Sequence, residues 1–407
     1  MKVHPINYFA FVFLIVSIAS CKNNSAKSEE MLNEQKVDTL AQQLWSVQMA
    51  ESIMLRNPKA SQIDGREDAK WDYVHGLVLK GFLDLYDVSK NQKYYDYAEH
   101  YADSLIEDDG AIATYTIEDY NIDMINAGKL LFPIYTKSED EKYLKAIQLL
   151  MKQLQEHPRT SQGGFWHKKR YPSQMWLDGL YMGAPFYAAY TSKFEEGKNL
   201  NDVALQFELI QNNALDSKTG LLYHGWDESK EQKWANPETG VSPHFWSRSL
   251  GWYAMALVDV LDYFPEDHPK RTELISYLKE LSVAVVSFQD ESGLWYQVTN
   301  RGDKDGNYLE ASGSAMFAYA FAKGANKGYL DDKFKNAANK AFDGLINRLI
   351  VRGSDGTITL TQVCAVAGLG GNPYRDGSFE YYVNERKQDN DPKGTGPFIM
   401  AALQLER

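Results

Sequence analysis

Cysteine is nearly absent: the 407 residues contain two, Cys21 and Cys364. With Cys21 read below as a lipid anchor, one thiol remains. No intramolecular disulfide and no cysteine-based metal site can then form, so stability rests on packing. The chain also lacks a His-x-x-x-His pair of the zinc type, a glycine-rich phosphate loop and a Gly-x-Ser-x-Gly nucleophile elbow. These gaps point away from metals and cofactors and toward acid-base chemistry by side chains alone. Positive charge is short as well, with 43 basic against 55 acidic residues and a net charge of -12. Such a chain does not wrap nucleic acid through bulk electrostatics, and any anionic ligand must meet a local basic pocket.

The hydrophobic content of 44% is enough for a substantial core, and one large domain is the economical reading. Met1-Lys2 precedes an apolar stretch, Tyr8 to Ala19, too short to span a bilayer comfortably. It reads as a signal peptide. Ile18-Ala19-Ser20-Cys21 has the apolar, small, small, Cys pattern of a bacterial lipoprotein processing site, the alternative being an ordinary cleaved signal with an incidental cysteine. The expected organisation is a signal over 1–21 with lipidated Cys21, a flexible polar tether over 22–37 and one catalytic domain over 38–407. Such a protein would be held in the cell envelope, on the periplasmic side of the outer membrane, touching the membrane only through its lipid.

No long Pro- or Ser-rich linker follows, and candidate strands are short. Six segments open with a small residue and continue as apolar, aromatic-rich helices, beginning near His75-Gly76, Ala127-Gly128, Asp178-Gly179, Leu250-Gly251, Ser312-Gly313 and Gly394-Thr395-Gly396. Apolar around most of their circumference, they should be buried. Amphipathic segments alternate with them, roughly 40–56, 93–106, 139–155, 200–212, 269–288 and 332–350. Six buried helices alternating with six half-exposed ones describe an all-α double ring, an (α/α)6 toroid. The small residues are expected where each inner helix begins, a position rich in unpaired amides. The turns Gly164-Phe165-Trp166-His167, Gly220-Leu221-Leu222-Tyr223-His224 and Gly293-Leu294-Trp295-Tyr296 would face the same mouth, although glycine turns with packed aromatics are also ordinary scaffold.

Polar residues at that mouth are the candidates for chemistry. Asp178 stands before Gly179 at the start of a strongly apolar helix; position alone leaves it open between a general acid and an N-cap. Asp123, in Tyr120-Asn121-Ile122-Asp123, is its natural partner, since two nearby carboxylates push each other's pKa apart. The basic counterparts are His167, Lys168, His224 and Arg248. Arg248, flanked by Trp246 and Trp252, is oddly placed for a merely solubilising charge and could fork onto a carboxylate. Trp176, Trp226 and Trp246 offer flat faces for a sugar ring, though core packing explains any single one equally well.

The run from Gly164-Phe165-Trp166-His167-Lys168 through Tyr171-Pro172 to Gln174-Met175-Trp176-Leu177-Asp178-Gly179-Leu180-Tyr181-Met182 closely resembles the unsaturated rhamnogalacturonyl hydrolases of glycoside hydrolase family 105. Phe245-Trp246-Ser247-Arg248 with Gly251-Trp252, and Tyr120-Asn121-Ile122-Asp123, fit the same pattern, which departs at Ser249-Leu250, where many relatives carry Gly-Asn. The resemblance covers about Trp71 to Leu403 and implies the same toroid. It further implies oligosaccharide substrates left by polysaccharide lyases, with a 4,5-unsaturated uronic acid at the non-reducing end, and no cofactor or metal. Asp178 would be general acid and base and Asp123 its assistant. Tyr73, His167, Lys168, Trp176, His224, Trp246 and Arg248 would contact substrate. The implied reaction is hydration of the C4=C5 enol ether, with galacturonyl-rhamnose the first choice and ulvan- or glycosaminoglycan-type fragments the runner-up. A sugar epimerase on the same toroid, which would use paired histidines, and a non-catalytic glycan-binding lipoprotein are the competing readings.

The anchor is directly testable. Cys21→Ser is expected to move the protein from the membrane to the soluble fraction and to abolish metabolic palmitate labelling. A variant that still pellets with membranes and still takes label contradicts it.

Overall fold

The computed structural model describes residues 43–406. The signal segment, Cys21 and the tether lie outside the described residues.

From the N-terminal side run α1 (Trp45–Arg56), α2 (Tyr73–Ser89) and α3 (Gln92–Asp103). A 3-10 stretch, Ile122–Leu130, passes directly into α4 (Leu131–Ser138), followed by α5 (Glu141–Glu156). Next come α6 (Leu177–Phe194), α7 (Leu200–Ala214), α8 (Ser247–Val260), α9 (Arg271–Val286), α10 (Ala311–Asn326) and α11 (Asp332–Leu349). A short α12 (Phe379–Asn384) and α13 (Pro392–Leu405) complete the chain. The helices α2, α6, α8, α10 and α13, together with the 122–138 segment, form an inner ring in which each packs on the next and α13 returns to α2. The outer helices α1, α3, α5, α7, α9 and α11 each lie against an inner neighbour. This is the (α/α)6 toroid expected from the alternation of segments.

The two layers differ as their patterns require. Outer α5 buries Tyr143, Ala146, Ile147, Leu150, Met151 and Leu154, a stripe at spacings of three and four, together with the polar Gln153. In inner α8 every residue is buried. Local caps set the starts: the side chains of Asp72, Asn91 and Asp140 accept from the amides of Val74, Lys93 and Lys142.

The small residues sit near the starts of four inner helices, inside the helix rather than ahead of it. Gly76, Gly179, Gly251 and Gly313 lie within the first turns of α2, α6, α8 and α10, because they are needed where neighbouring helices touch. A Cβ on Gly76 would stand 2.5 Å from Ala127 Cα, and one on Gly313 would stand 2.9 Å from the carbonyl carbon of Ser247. The second repeat also begins earlier than its Ala127-Gly128 pair indicates, since Asn121 caps the 3-10 entry through the Asp123 amide. Of the three aromatic turns, the one at Gly293 is scaffold: Trp295 is fully buried and donates to the Val285 carbonyl at 2.7 Å.

Gly76→Ala is therefore expected to destabilise the fold by about 1–3 kcal/mol, the usual cost of overpacking, because the obstacle is backbone and cannot rotate away. Chemical denaturation checks this; unchanged stability would mean that the inner helices do not approach so closely.

Candidate active site

The mouth of the ring is built by backbone pairing between loops far apart in sequence. Strand β1 (Gln174–Trp176) pairs antiparallel with β2 (Gly225–Asp227), setting Trp176 opposite Gly225, and the Leu177 amide donates to the His224 carbonyl at 3.0 Å. This ribbon carries His224 to the start of α6, where Asp178 stands. On the other side the His167 amide donates to the Gln174 carbonyl at 2.7 Å, and the Ile122 amide donates to the His167 carbonyl at 3.2 Å. The loops carrying Asp123, His167, Asp178 and His224 are thus one hydrogen-bonded unit.

Asp178 is not a cap. Trp176 occupies the N-cap position of α6 without a side-chain cap bond, and Asp178 falls in the first turn. Its side chain keeps 15% exposure, and its Oδ2 lies 3.2 Å from His224 Nε2. The pair is out of line for a hydrogen bond, so among the described residues both atoms are left without a partner. His224 is fully buried, with Nδ1 2.7 Å from the Tyr382 hydroxyl.

Asp123 is held differently. Lys168 Nζ donates to its Oδ2, and His167 Nε2 lies 3.5 Å from its Oδ1. Burial, reinforced by the neighbouring Lys168 ammonium, holds the His167 pKa well below its ordinary value, so the ring is neutral and Lys168 supplies the positive charge. The Nδ1 edge of the His167 ring meets Gly179, where a Cβ would come within 3.2 Å of it. His167 therefore stands between the Asp123 loop and the start of α6, bringing the two acids to one neighbourhood.

Tyr73, Asp123 and Lys168 line an open cleft of about 560 Å³, whose wall mixes the cations of Lys70, Lys169 and Arg170 with the acids Asp72, Glu118 and Asp119. The remaining candidates lie behind it. Trp176, 4% exposed, is stacked by His167 at 4.3 Å and by Tyr171 at 5.0 Å between ring centroids. Trp246, 1% exposed, is stacked by Tyr382 and carries the Arg248 guanidinium 4.6 Å from its ring centroid. Trp226 is buried too. The flat faces expected to receive a sugar are covered by protein in this structure. Arg248 is buried and donates to the Cys364 carbonyl and, at 3.3 Å, to Ser312 Oγ. Burial opposes its charge, but Cys364, Glu310 and Asp391 outweigh that and raise its pKa above the usual arginine value.

What covers these residues is the 361–391 stretch, which offered no sequence signal. Cys364 belongs to strand β3 (Val363–Cys364), paired with β4 (Lys387–Gln388), and α12 brings Tyr382 beside His224. Arg375 reaches across to Tyr171 Oη at 2.9 Å. Glu310, also missed, caps α10 by accepting from the Ser312 and Gly313 amides and takes the Cys364 amide at 2.9 Å. Its signal was available: an acid just before a small-residue inner helix, as at Asp178.

A helical toroid with two carboxylates near its mouth is the architecture of a carbohydrate-cleaving enzyme. The sequence profile of Glycosyl Hydrolase Family 88 matches residues 45–407. A solved family 105 glycoside hydrolase from C. acetobutylicum ATCC 824 superposes with a TM-score of 0.86 at 46% identity, covering 89% of this chain and 99% of that one. Protein Atu3128 of Agrobacterium fabrum is 40% identical over 54% of this chain and 96% of its own. Unsaturated rhamnogalacturonyl hydrolase YesR of Bacillus subtilis is 27% identical over 62% of this chain and 70% of its own. The chain belongs to the glycoside hydrolase family 88/105 group and is an enzyme of the unsaturated glycuronyl hydrolase type.

The turn carrying His167 is anchored by a buried imidazole, His157, whose Nε2 lies 2.7 Å from the Trp166 carbonyl oxygen. Burial lowers its pKa from 6.5 to about 4. Below pH 6.5 the unfolded chain takes up a proton that folded His157 refuses, so stability is present at neutral pH and lost as pH falls toward 4. His157 should account for roughly 2 kcal/mol of stability lost between pH 7 and pH 5. Urea denaturation of wild type and His157→Gln at the two pH values checks it; equal pH dependence in both proteins contradicts the buried neutral ring.

Proposed function

We propose that this enzyme removes a 4,5-unsaturated uronic acid from lyase-generated oligosaccharides by hydrating the C4=C5 double bond, with Asp178 as general acid and base. The observation that carries the reading is the Asp178 carboxyl at the mouth: its side chain is partly exposed, while its buried Oδ2 faces His224 without a hydrogen-bond partner among the described residues. The Asp178 carboxyl is paired with no lysine or arginine among the described residues and can give and take a proton, whereas Asp123 is held by the Lys168 ammonium.

Asp178 protonates C4, leaving an oxocarbenium-like centre at C5 stabilised by the ring oxygen. Water adds at C5 as the same carboxylate takes its proton, and the hemiketal opens to release the aglycone. The spacing rules that separate retaining from inverting glycosidases do not apply, since the anomeric carbon is not displaced. Asp123, fixed by Lys168, assists by hydrogen bonding to the sugar. Tyr73 and Lys168 contact substrate in the cleft, whose lysines and Arg170 are the cations available to a uronate carboxylate among an equal number of acids. His224, 3.2 Å from the Asp178 carboxyl, contacts substrate beside it. Trp176, His167, Trp246 and Arg248 act from behind this layer.

The uronate is proposed to be of the galacturonyl type linked to rhamnose. The name of the Bacillus subtilis relative supports this, and the proposed lipid anchor at Cys21 would place the enzyme in the cell envelope. Loss of the ultraviolet absorbance of the unsaturated sugar, measured on lyase digests of rhamnogalacturonan, ulvan and glycosaminoglycans, tests the proposal. The rhamnogalacturonan digest should be consumed fastest. Asp178→Asn should lose about 10²–10⁴-fold of the rate while retaining its fold by circular dichroism. If wild-type protein consumes none of the digests, the hydrolase reading fails.

A further inference from the structure

At the opposite end of the ring, toward the C-terminal ends of the inner helices, lies a second cavity of about 450 Å³. Its wall is dense in charge: Lys80 and Asp84 from α2, Lys129 from the 3-10 stretch, Asp259 from the end of α8 and Lys323 from α10. Most of that charge is neutralised within the wall. Lys80 Nζ sits 2.6 Å from Asp84 Oδ1, and Lys323 Nζ sits 2.6 Å from Asp259 and 2.7 Å from Asp262. The Tyr319 hydroxyl donates a further bond to Asp259 at 2.7 Å.

Lys129 is different. It is 7% exposed, and its Nζ is buried with no hydrogen-bond partner among the described residues. The ammonium lies 3.5 Å from the centroid of the Tyr181 ring, a contact that offsets only part of the cost of leaving water, and the Tyr181 hydroxyl also lacks a partner. Burial, reinforced by the like charges of Lys80 and Lys323 and opposed by Asp259 and Asp84, lowers its pKa to about 7.

We propose that this far cavity is a second binding site for a small organic anion, a carboxylate or phosphate ester, held by Lys129 Nζ. The buried acid of the wall, Asp259, already has its cation, so an entering cation finds little to bind. An entering anion finds an ammonium with none. The partial negative charge of helix C-termini acts only over the last turn, and Lys129 is separated from its own helix end by all of α4. Tyr86, Tyr95, Phe132 and Tyr263 provide apolar wall for a carbon skeleton.

Calorimetric titration of wild type and Lys129→Met with D-galacturonate, galactose 1-phosphate and neutral D-galactose tests the proposal. At least one anion should bind wild type, galactose should not, and Lys129→Met should weaken anion binding about tenfold or more. Which anion binds tells carboxylate from phosphate. Absence of anion binding to wild type, or binding undiminished in Lys129→Met and so belonging to the mouth, overturns it. Should that variant fail to fold, reductive methylation of wild type with peptide mapping replaces it. Saturating anion should slow modification of Lys129 relative to the exposed Lys279, which lies outside the cavity, and unchanged relative rates overturn the proposal.

Discussion

The close approach of inner helices at their glycines is the constraint on which the rest depends. With Gly76 against the backbone of Ala127, Gly313 against Ser247 and Gly396 against Val78, the ring closes with the amino ends of the inner helices at one mouth. The loops before those ends are then forced together and pair with one another, as β1 does with β2. Asp178 and His224, forty-six residues apart in the chain, meet because of that ribbon. Side chains larger than hydrogen at these contacts would hold the helices apart and loosen the mouth before any catalytic residue was touched.

Behind the mouth the structure concentrates buried polar groups, which persist only when their partners are in place. Glu310 illustrates the economy of the arrangement: one carboxylate caps α10, receives the Cys364 amide and helps keep Arg248 charged. Tyr382 similarly joins the C-terminal segment to His224. The open cleft beside these groups is lined by lysines, an arginine, Tyr73, Asp123 and three further acids. The opposite end of the ring is also charged, but its acids and lysines are mostly paired with each other.

Much of this was legible in the chain. Apolar and amphipathic segments alternate because buried and half-buried helices need different surfaces, and counting them yields the double ring. The acid preceding Gly179 and the aromatic run before it marked the mouth. Other features left no local trace. The early 3-10 entry at Ile122 is set by Asn121, a residue that caps turns of many kinds. The tryptophans looked like sugar platforms, yet which rings stack on them depends on His167, Tyr171 and Tyr382, brought from other loops.

The sequence by itself determined the class of fold and the acids worth watching, since both follow from periodicity and from residue types at helix starts, which are local properties. Only the tertiary structure decided that Asp178 is not a cap, that Asp123 is tied to Lys168 while an Asp178 oxygen is left free, and that the 361–391 segment closes over Trp246 and Arg248. These outcomes depend on distances between residues remote in the chain. Such distances are set by ring closure and loop pairing, and no short stretch of sequence encodes them.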